Sequence, residues 1–552
     1  MTTSTAVPPD ETIRDDPSAG HPRRWLILGV MVVSLLVVSL DTTILNVALK
    51  TIQQDLRASQ ADMQWAINSY TLVFAGLTFT FGLLADRFGR KPILFGGLLL
   101  FGVGSAMSAW AGSPPQLIAT RAIMGIGAAT IFPTTLSIIT NVFPAQQRAR
   151  AIGLWSAAGG LGIAIGPLTG GYLLENWWWG SIFLVNVPFV IAGVTAIALL
   201  VPDSRDPNPG RIDPGGVLLS MAGIVALVYG IIRAGDKADW VRADVLGPII
   251  AGVVLIAVFV LVERHTDHPA LDVSLFRKPA FSAAVVSVTL VFFGLNGLFF
   301  VFSYYAQAVR GASPLRTGVL ILPAAFGIVF GSAVAPRVVR AIGPKVVIAT
   351  GMLLTAIGFA AYAWVGKSTA TVLYELPVLA TGLGIGLVLA PSTEAVMSAV
   401  PRATAGAASA VNSTVRLIGT ALGVAVLGSL LASSYRDRIG TAVDVLPGQD
   451  RSTAAGSIGG TLETVSRIAA QARQAAGQGK LDLATAGRLR VDLTHLVDRA
   501  NDAFVSAMHV TVVWGAVISL LGALVALIWM PGRPAEAAVA PEPAVTEAVD
   551  QG

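Results

Sequence analysis

Gly82-Leu83-Leu84-Ala85-Asp86-Arg87-Phe88-Gly89-Arg90-Lys91 packs four charges, Asp86, Arg87, Arg90 and Lys91, between two apolar runs that are each long enough to cross a bilayer. Charges are costly inside hydrocarbon, so this segment is expected at a membrane surface, as a tight hairpin between two antiparallel helices. Gly82 and Gly89 let those helices approach closely, and the three cations assign that surface to the cytoplasmic side by the positive-inside bias.

Composition agrees with a membrane setting. The 552 residues are 54% hydrophobic and only 12% charged, with a mean hydropathy of +0.71, whereas about a quarter of the residues in a soluble domain are charged. The formal charge of +5 does not indicate nucleic-acid binding, because the arginines are scattered between apolar runs rather than gathered on one face. The chain has no cysteine, which excludes thiol catalysis, disulfides and cysteine metal sites. Its five histidines, His21, His265, His268, His495 and His509, have no metal-ligand or triad spacing. That argues against the main rival from another class, a polytopic membrane enzyme acting on lipid-linked substrates. No metal and no cofactor are expected.

Windows of about twenty residues give apolar spans near 25–47, 63–85, 93–112, 117–142, 151–174, 180–201, 215–233 and 246–263, and then 281–309, 316–336, 345–365, 373–397, 406–432 and 509–530. The run after Arg23-Arg24 is longer than a signal-peptide core and lacks a small-x-small cleavage site, so it reads as a retained first helix. Fourteen spans, an even number, put both termini on one side. The connections assigned to the inside carry roughly eighteen Lys and Arg against roughly seven outside, which makes that side the cytoplasm. Residues 1–24 and 531–552 read as disordered cytoplasmic tails.

Ala335-Pro-Arg-Val-Val-Arg-Ala-Ile-Gly-Pro-Lys345 is a degraded echo of the stretch at 82–91, again with glycine before a cation. It divides the chain into a six-helix bundle over 25–201, an inserted pair over 202–264 and a second six-helix bundle over 265–530, a six-plus-two-plus-six all-α membrane protein.

The stretch at 82–91 resembles the cytoplasmic loop signature of the major facilitator superfamily of secondary transporters. Leu40-Asp-Thr-Thr-Ile-Leu-Asn-Val-Ala-Leu49 resembles the first-helix signature of its fourteen-helix drug:proton antiporter-2 family. Arg121-Ala-Ile-Met-Gly125 is similar to the family's helix-four element, and Gly162-Ile-Ala-Ile-Gly-Pro-Leu-Thr-Gly-Gly171 to the helix-five element of exporters. Phe183-Leu-Val-Asn-Val-Pro188, Trp65 and Tyr70 also fit. Lys50 and Met124 depart from the usual Pro and Gln, which bears on substrate choice rather than on fold. The resemblance implies the major facilitator fold and a plasma-membrane multidrug exporter. Such a protein exchanges hydrophobic or amphiphilic, often cationic, compounds for protons as a monomer, with antibiotic resistance as the outcome. An exporter of a lipid or an endogenous metabolite is the alternative on the same machinery. The resemblance also makes Gly82, Asp86, Arg87, Gly89, Arg90 and Lys91 a cytoplasmic gate.

Ionisable residues inside spans point to the chemistry. Asp41 lies roughly 9 Å from the outer end of helix one at about 1.5 Å per residue, and Arg121 lies at a similar depth in helix four, so the two can pair. Burial favours protonation of such a carboxylate while a neighbouring arginine opposes it, and a conformational change that alters either effect can load or release a proton. Asp41 and Arg121 are therefore the candidate proton-coupling pair, with a purely structural ion pair as the other reading. Arg416 sits near the middle of helix thirteen, with Glu394 as a potential partner. Asn46, Trp65, Tyr70, Asn296, Glu394 and Arg416 are candidates for a substrate cavity, which should be apolar and aromatic with sparse polar groups. Gly162, Gly166, Gly170 and Gly171 form a groove at one-turn spacing and Pro167 permits a bend. Between 433 and 508, Leu462, Val465, Ile468, Ala469 and Ala472 and then Leu489, Leu493, Leu496, Val497, Ala500 and Phe504 recur at helical spacing. They predict an amphipathic hairpin at the outer mouth.

Overall fold

The computed structural model describes residues 20–58, 60–205, 214–237, 240–265, 273–401, 405–478 and 482–532. Most of both tails therefore lies outside the described residues. Among those described there is no β-strand, and fourteen helical segments are long and apolar enough to cross a membrane.

The first bundle comprises α1 (Arg24–Asp55), α2 (Gln60–Phe88), α3 (Arg90–Ala109), α4 (Pro114–Val142), α5 (Ala145–Asn176), α6 (Ser181–Leu184) and α7 (Asn186–Leu200). The short α6 and α7 share one span. They part at Val185 because Pro188 has no N–H to offer the Leu184 carbonyl one turn earlier. The inserted pair is α8 (Pro214–Lys237) and α9 (Ala243–His265). The second bundle comprises α10 (Pro279–Tyr304), α11 (Pro314–Ile342), α12 (Pro344–Ala361), α13 (Thr371–Ser398) and α14 (Ala405–Ile439), then α15 (Gly448–Gly456), α16 (Ile458–Gly477) and α17 (Leu483–Trp529). Prolines open α4, α10, α11 and α12, where the missing N–H costs no helical bond.

The two bundles repeat one arrangement. α1 packs on α5 as α10 packs on α14, α2 on α4 as α11 on α13, and α3 on α4 as α12 on α13. The faint echo at 335–345 reflects the same backbone: Gly89 before α3 and Gly343 before α12 both have positive φ, 107° and 87°. Only glycine takes this conformation without strain, which lets each helix reverse at once into the next. The bundles meet along two matching seams, α5 against α11 and α2 against α14. The inserted helix α8 lies along the second seam and touches both α2 and α14, with Gly76 against Val225 and Gly235 against Ala425.

The region 433–508 is helical as expected, but its second helix does not end before the membrane. α17 runs unbroken for 47 residues, about 70 Å at 1.5 Å per residue, because no glycine or proline interrupts 488–514. Its first half pairs with α16, whose Leu462, Val465, Ile468 and Ala469 pack onto the second bundle's core. Thr461 Oγ1 is 2.7 Å from Tyr435 Oη, and Lys367 forms an ion pair with Asp502 at 2.7 Å. The hairpin thus sits on the second bundle.

Candidate functional site

The stretch at 82–91 forms the turn from α2 to α3, at the basic end of the bundle that also carries Arg24, Arg148 and Arg150. Asp86 Oδ1 accepts from Arg90 Nε and Nη2 at 3.0 and 2.8 Å and from the Gly406 backbone N–H at 3.0 Å, while Oδ2 accepts from the Ala407 N–H at 3.2 Å. The two amides belong to the first turn of α14, where N–H groups have no helical partner and the helix dipole favours an anion. One carboxylate therefore joins the first bundle to the second. Gly82 permits the contact, since a Cβ there would meet Gly406 O at 2.7 Å and also crowd the Ala410 methyl. Arg90 is buried, and its N–H donates to Ser204 O. Lys91 Nζ donates to Ala198 O in the last turn of α7, a favourable position for a cation. Arg87 lies 5.7 Å from the Phe88 ring.

Deeper in the first bundle, α1 and α4 bring Asp41 and Arg121 together. Arg121 Nη1 donates to Asp41 Oδ2 at 2.6 Å, with Asp41 0% and Arg121 2% exposed. Asp41 Oδ1 accepts from Asn186 Nδ2 at 3.3 Å, and the same amide reaches Ser105 Oγ at 3.1 Å. The Tyr70 ring lies 4.2 Å from the guanidinium carbon. An isolated buried charge would cost several kcal/mol, and this pairing together with the added donors offsets that cost. Asn186 was visible in the sequence only as part of the 183–188 stretch. A single amide beside a proline in an apolar span was the available signal.

The helix-five glycines divide between two partners. Gly162, Gly166 and Gly170 face Ser39, Thr43 and Ile44 of α1, the helix that carries Asp41. Gly171 and Pro167 turn the other way, towards Leu315 and Gly318 of α11 across the seam. Gly166→Val should force α1 and α5 apart, costing about 1–3 kcal/mol by overpacking, and should lower both the melting temperature and transport. Gly171→Ala meets Leu315 alone, its side chain at 3.3 Å and its Cα in ordinary contact at 3.7 Å, and should be near neutral in the same melts.

The remaining candidates do not converge on one cavity. Trp65 is 47% exposed, near the end of α2 opposite the 82–91 turn. Tyr70 belongs to the Asp41 pair. Asn296 donates to Phe292 O and to Thr420 Oγ1, joining α10 to α14. The side chain of Asn46 lies outside the described residues. The expected pairing of Glu394 with Arg416 is not formed. Glu394 is four residues from the end of α13 whereas Arg416 is eleven residues into α14, a depth difference of roughly 10 Å at about 1.5 Å per residue. Glu394 instead lines a cavity of about 390 Å³ at the basic end, with Lys278, Phe281, Pro336, Pro391 and Pro531.

The Major Facilitator Superfamily profile matches residues 31–424. The multidrug efflux pump LfrA of Mycolicibacterium smegmatis is 33% identical over 504 residues, 91% of this chain and 95% of that protein. The tetracenomycin C resistance and export protein of Streptomyces glaucescens is 32% identical over 540 residues, 98% and 97% of the two chains. Among solved structures, the human organic anion transporter MFSD10 superposes with a TM-score of 0.55 at 16% identity, covering 74% of this chain and 94% of that one.

Proposed function

This chain belongs to the major facilitator superfamily, and on that premise we propose that it exports hydrophobic or amphiphilic compounds from the cell in exchange for protons, by alternating access. It is a multi-pass membrane transporter. The observation that carries the antiport reading is the fully buried Asp41–Arg121 pair, held by Asn186 and Tyr70. A carboxylate there can be neutralised by a proton only if its pairing changes, which links protonation to movement of α1 against α4. The basic end faces the cytoplasm on the positive-inside bias. The Asp86 bonds to α14 then close the cytoplasmic side in the conformation described, and their release opens it.

The test is dye accumulation into inside-out proteoliposomes carrying the full chain, energised by an acid interior. Accumulation above that of empty vesicles, abolished by a protonophore, is the expected result. Accumulation that persists unchanged after the gradient collapses would overturn proton antiport.

A further inference from the structure

Arg416 is a buried arginine that the mechanism above does not use. Arg90 is paired with Asp86 and Arg121 with Asp41. Arg416 is 7% exposed and makes no ion pair and no hydrogen bond among the described residues, and its Nη1 is buried without a partner. Its guanidinium carbon lies 4.4 Å from the Phe292 ring, 4.9 Å from Phe132 and 5.2 Å from Trp155. Those rings come from α10, α4 and α5, so both bundles contribute. One turn earlier on α14, Asn412 is 0% exposed, and both polar atoms of its amide lack a partner.

An arginine keeps its charge at neutral pH. Each ring face offsets part of the cost of burial. A guanidinium taken out of water also needs acceptors for its N–H groups, and aromatic faces supply none in its plane. With the Asp41 pair neutral overall and Glu394 at another depth, the charge left at this point between the bundles is positive. That is the wrong sign for a bare cation and the right one for an acid. The fork of the guanidinium fits a carboxylate through two parallel N–H bonds, and the Asn412 amide adds a donor one turn away.

Resting on the export reading, we propose that Arg416 and Asn412 form a binding site for the carboxylate of an aromatic amphiphile, whose ring system packs against Phe132, Trp155 and Phe292. The substrate range then includes acidic and zwitterionic aromatic compounds, not cations alone. Because its walls belong to both bundles, the site is assembled only where they meet.

Rhodamine 110 and rhodamine 123 test this as a matched pair, the second being the methyl ester of the first's carboxylic acid. Fluorescence-polarisation titrations of the full chain in nanodiscs should show the wild type binding the acid about tenfold more tightly than the ester. Arg416→Gln should remove that preference by weakening the acid alone, Arg416→Lys should restore part of it, and Asn412→Ala should weaken the acid several-fold. A wild type that binds both dyes equally, or neither, overturns the proposal. So does an Arg416→Gln protein of unchanged melting temperature that loses both dyes in parallel or neither. If Arg416→Gln fails to fold, the wild-type preference and Asn412→Ala decide in its place. Carboxylate-selective binding without gradient-driven accumulation would leave this site standing and remove the export reading.

Discussion

Asp41→Asn is expected to reduce gradient-driven uphill export to the level of empty vesicles while leaving substrate counterflow measurable. The replacement has the same shape and can still accept from Arg121 Nη1, which now donates to Asp41 Oδ2 at 2.6 Å, but it cannot take up and release a proton. Losing the charge on one side of a buried pair should destabilise the protein by about 1.5–3 kcal/mol, the worth of a hydrogen bond to a charged group. Arg121→Ala should be more damaging to the fold, at about 3–5 kcal/mol, because it removes the whole buried side chain with its contacts to Asp41, Ala66 O and the Tyr70 ring. The two variants therefore separate coupling from architecture. A structural ion pair predicts losses of transport that follow losses of melting temperature, whereas a coupling residue predicts a folded Asp41→Asn protein that exchanges substrate and cannot pump. Uphill export at the wild-type rate by Asp41→Asn would move the proton site elsewhere.

Asp86→Asn is expected to slow turnover by about 10- to 100-fold with normal membrane insertion. Asp86 accepts four hydrogen bonds, two from Arg90 and two from the first amides of α14. An asparagine loses the charge and must point an N–H₂ at one of these donors. Taking the loss at about 3 kcal/mol, two charge-assisted bonds at about 1.5 kcal/mol each, the balance between closed and open basic ends shifts roughly 100-fold. The absence of native cysteine gives this a clean readout. Ser409 is 0% exposed on α14, one turn from the latch, so Ser409→Cys should resist an aqueous thiol reagent in the parent and react in the Asp86→Asn background. Equal labelling in both, with normal transport, would leave Asp86 a topological role only.

The contrast between Asp41 and Arg416 shows how far the chain could be read before folding. Fourteen spans were legible because hydrocarbon demands about twenty apolar residues per crossing, and that demand is local in sequence. The depth match of Asp41 with Arg121 was legible for a similar reason: helical rise converts a residue count into a height, and two residues at one height on neighbouring helices can meet. The turn at 82–91 was legible because four charges have only one place to go at a membrane. The glycine row of α5 announced a close packing face, though not that Gly162, Gly166 and Gly170 would serve α1 while Gly171 turned to α11.

Tertiary structure alone decided what surrounds each side chain. In lipid a helix can be apolar on every face, so hydropathy does not report its rotation about its own axis. The neighbours of Arg416 come from positions 132, 155 and 292, on three helices whose order around it follows from the packing of both bundles. Glu394 shares the apolar setting of Arg416 but sits at another depth, and Asn186 reaches Asp41 from the sixth span only once that span has packed against α1. Sequence determined how many spans there are and how deep their charges lie, since each of these depends on one helix and the bilayer. Their partners depend on how fourteen spans close around one another, and that is settled only when the bundles pack.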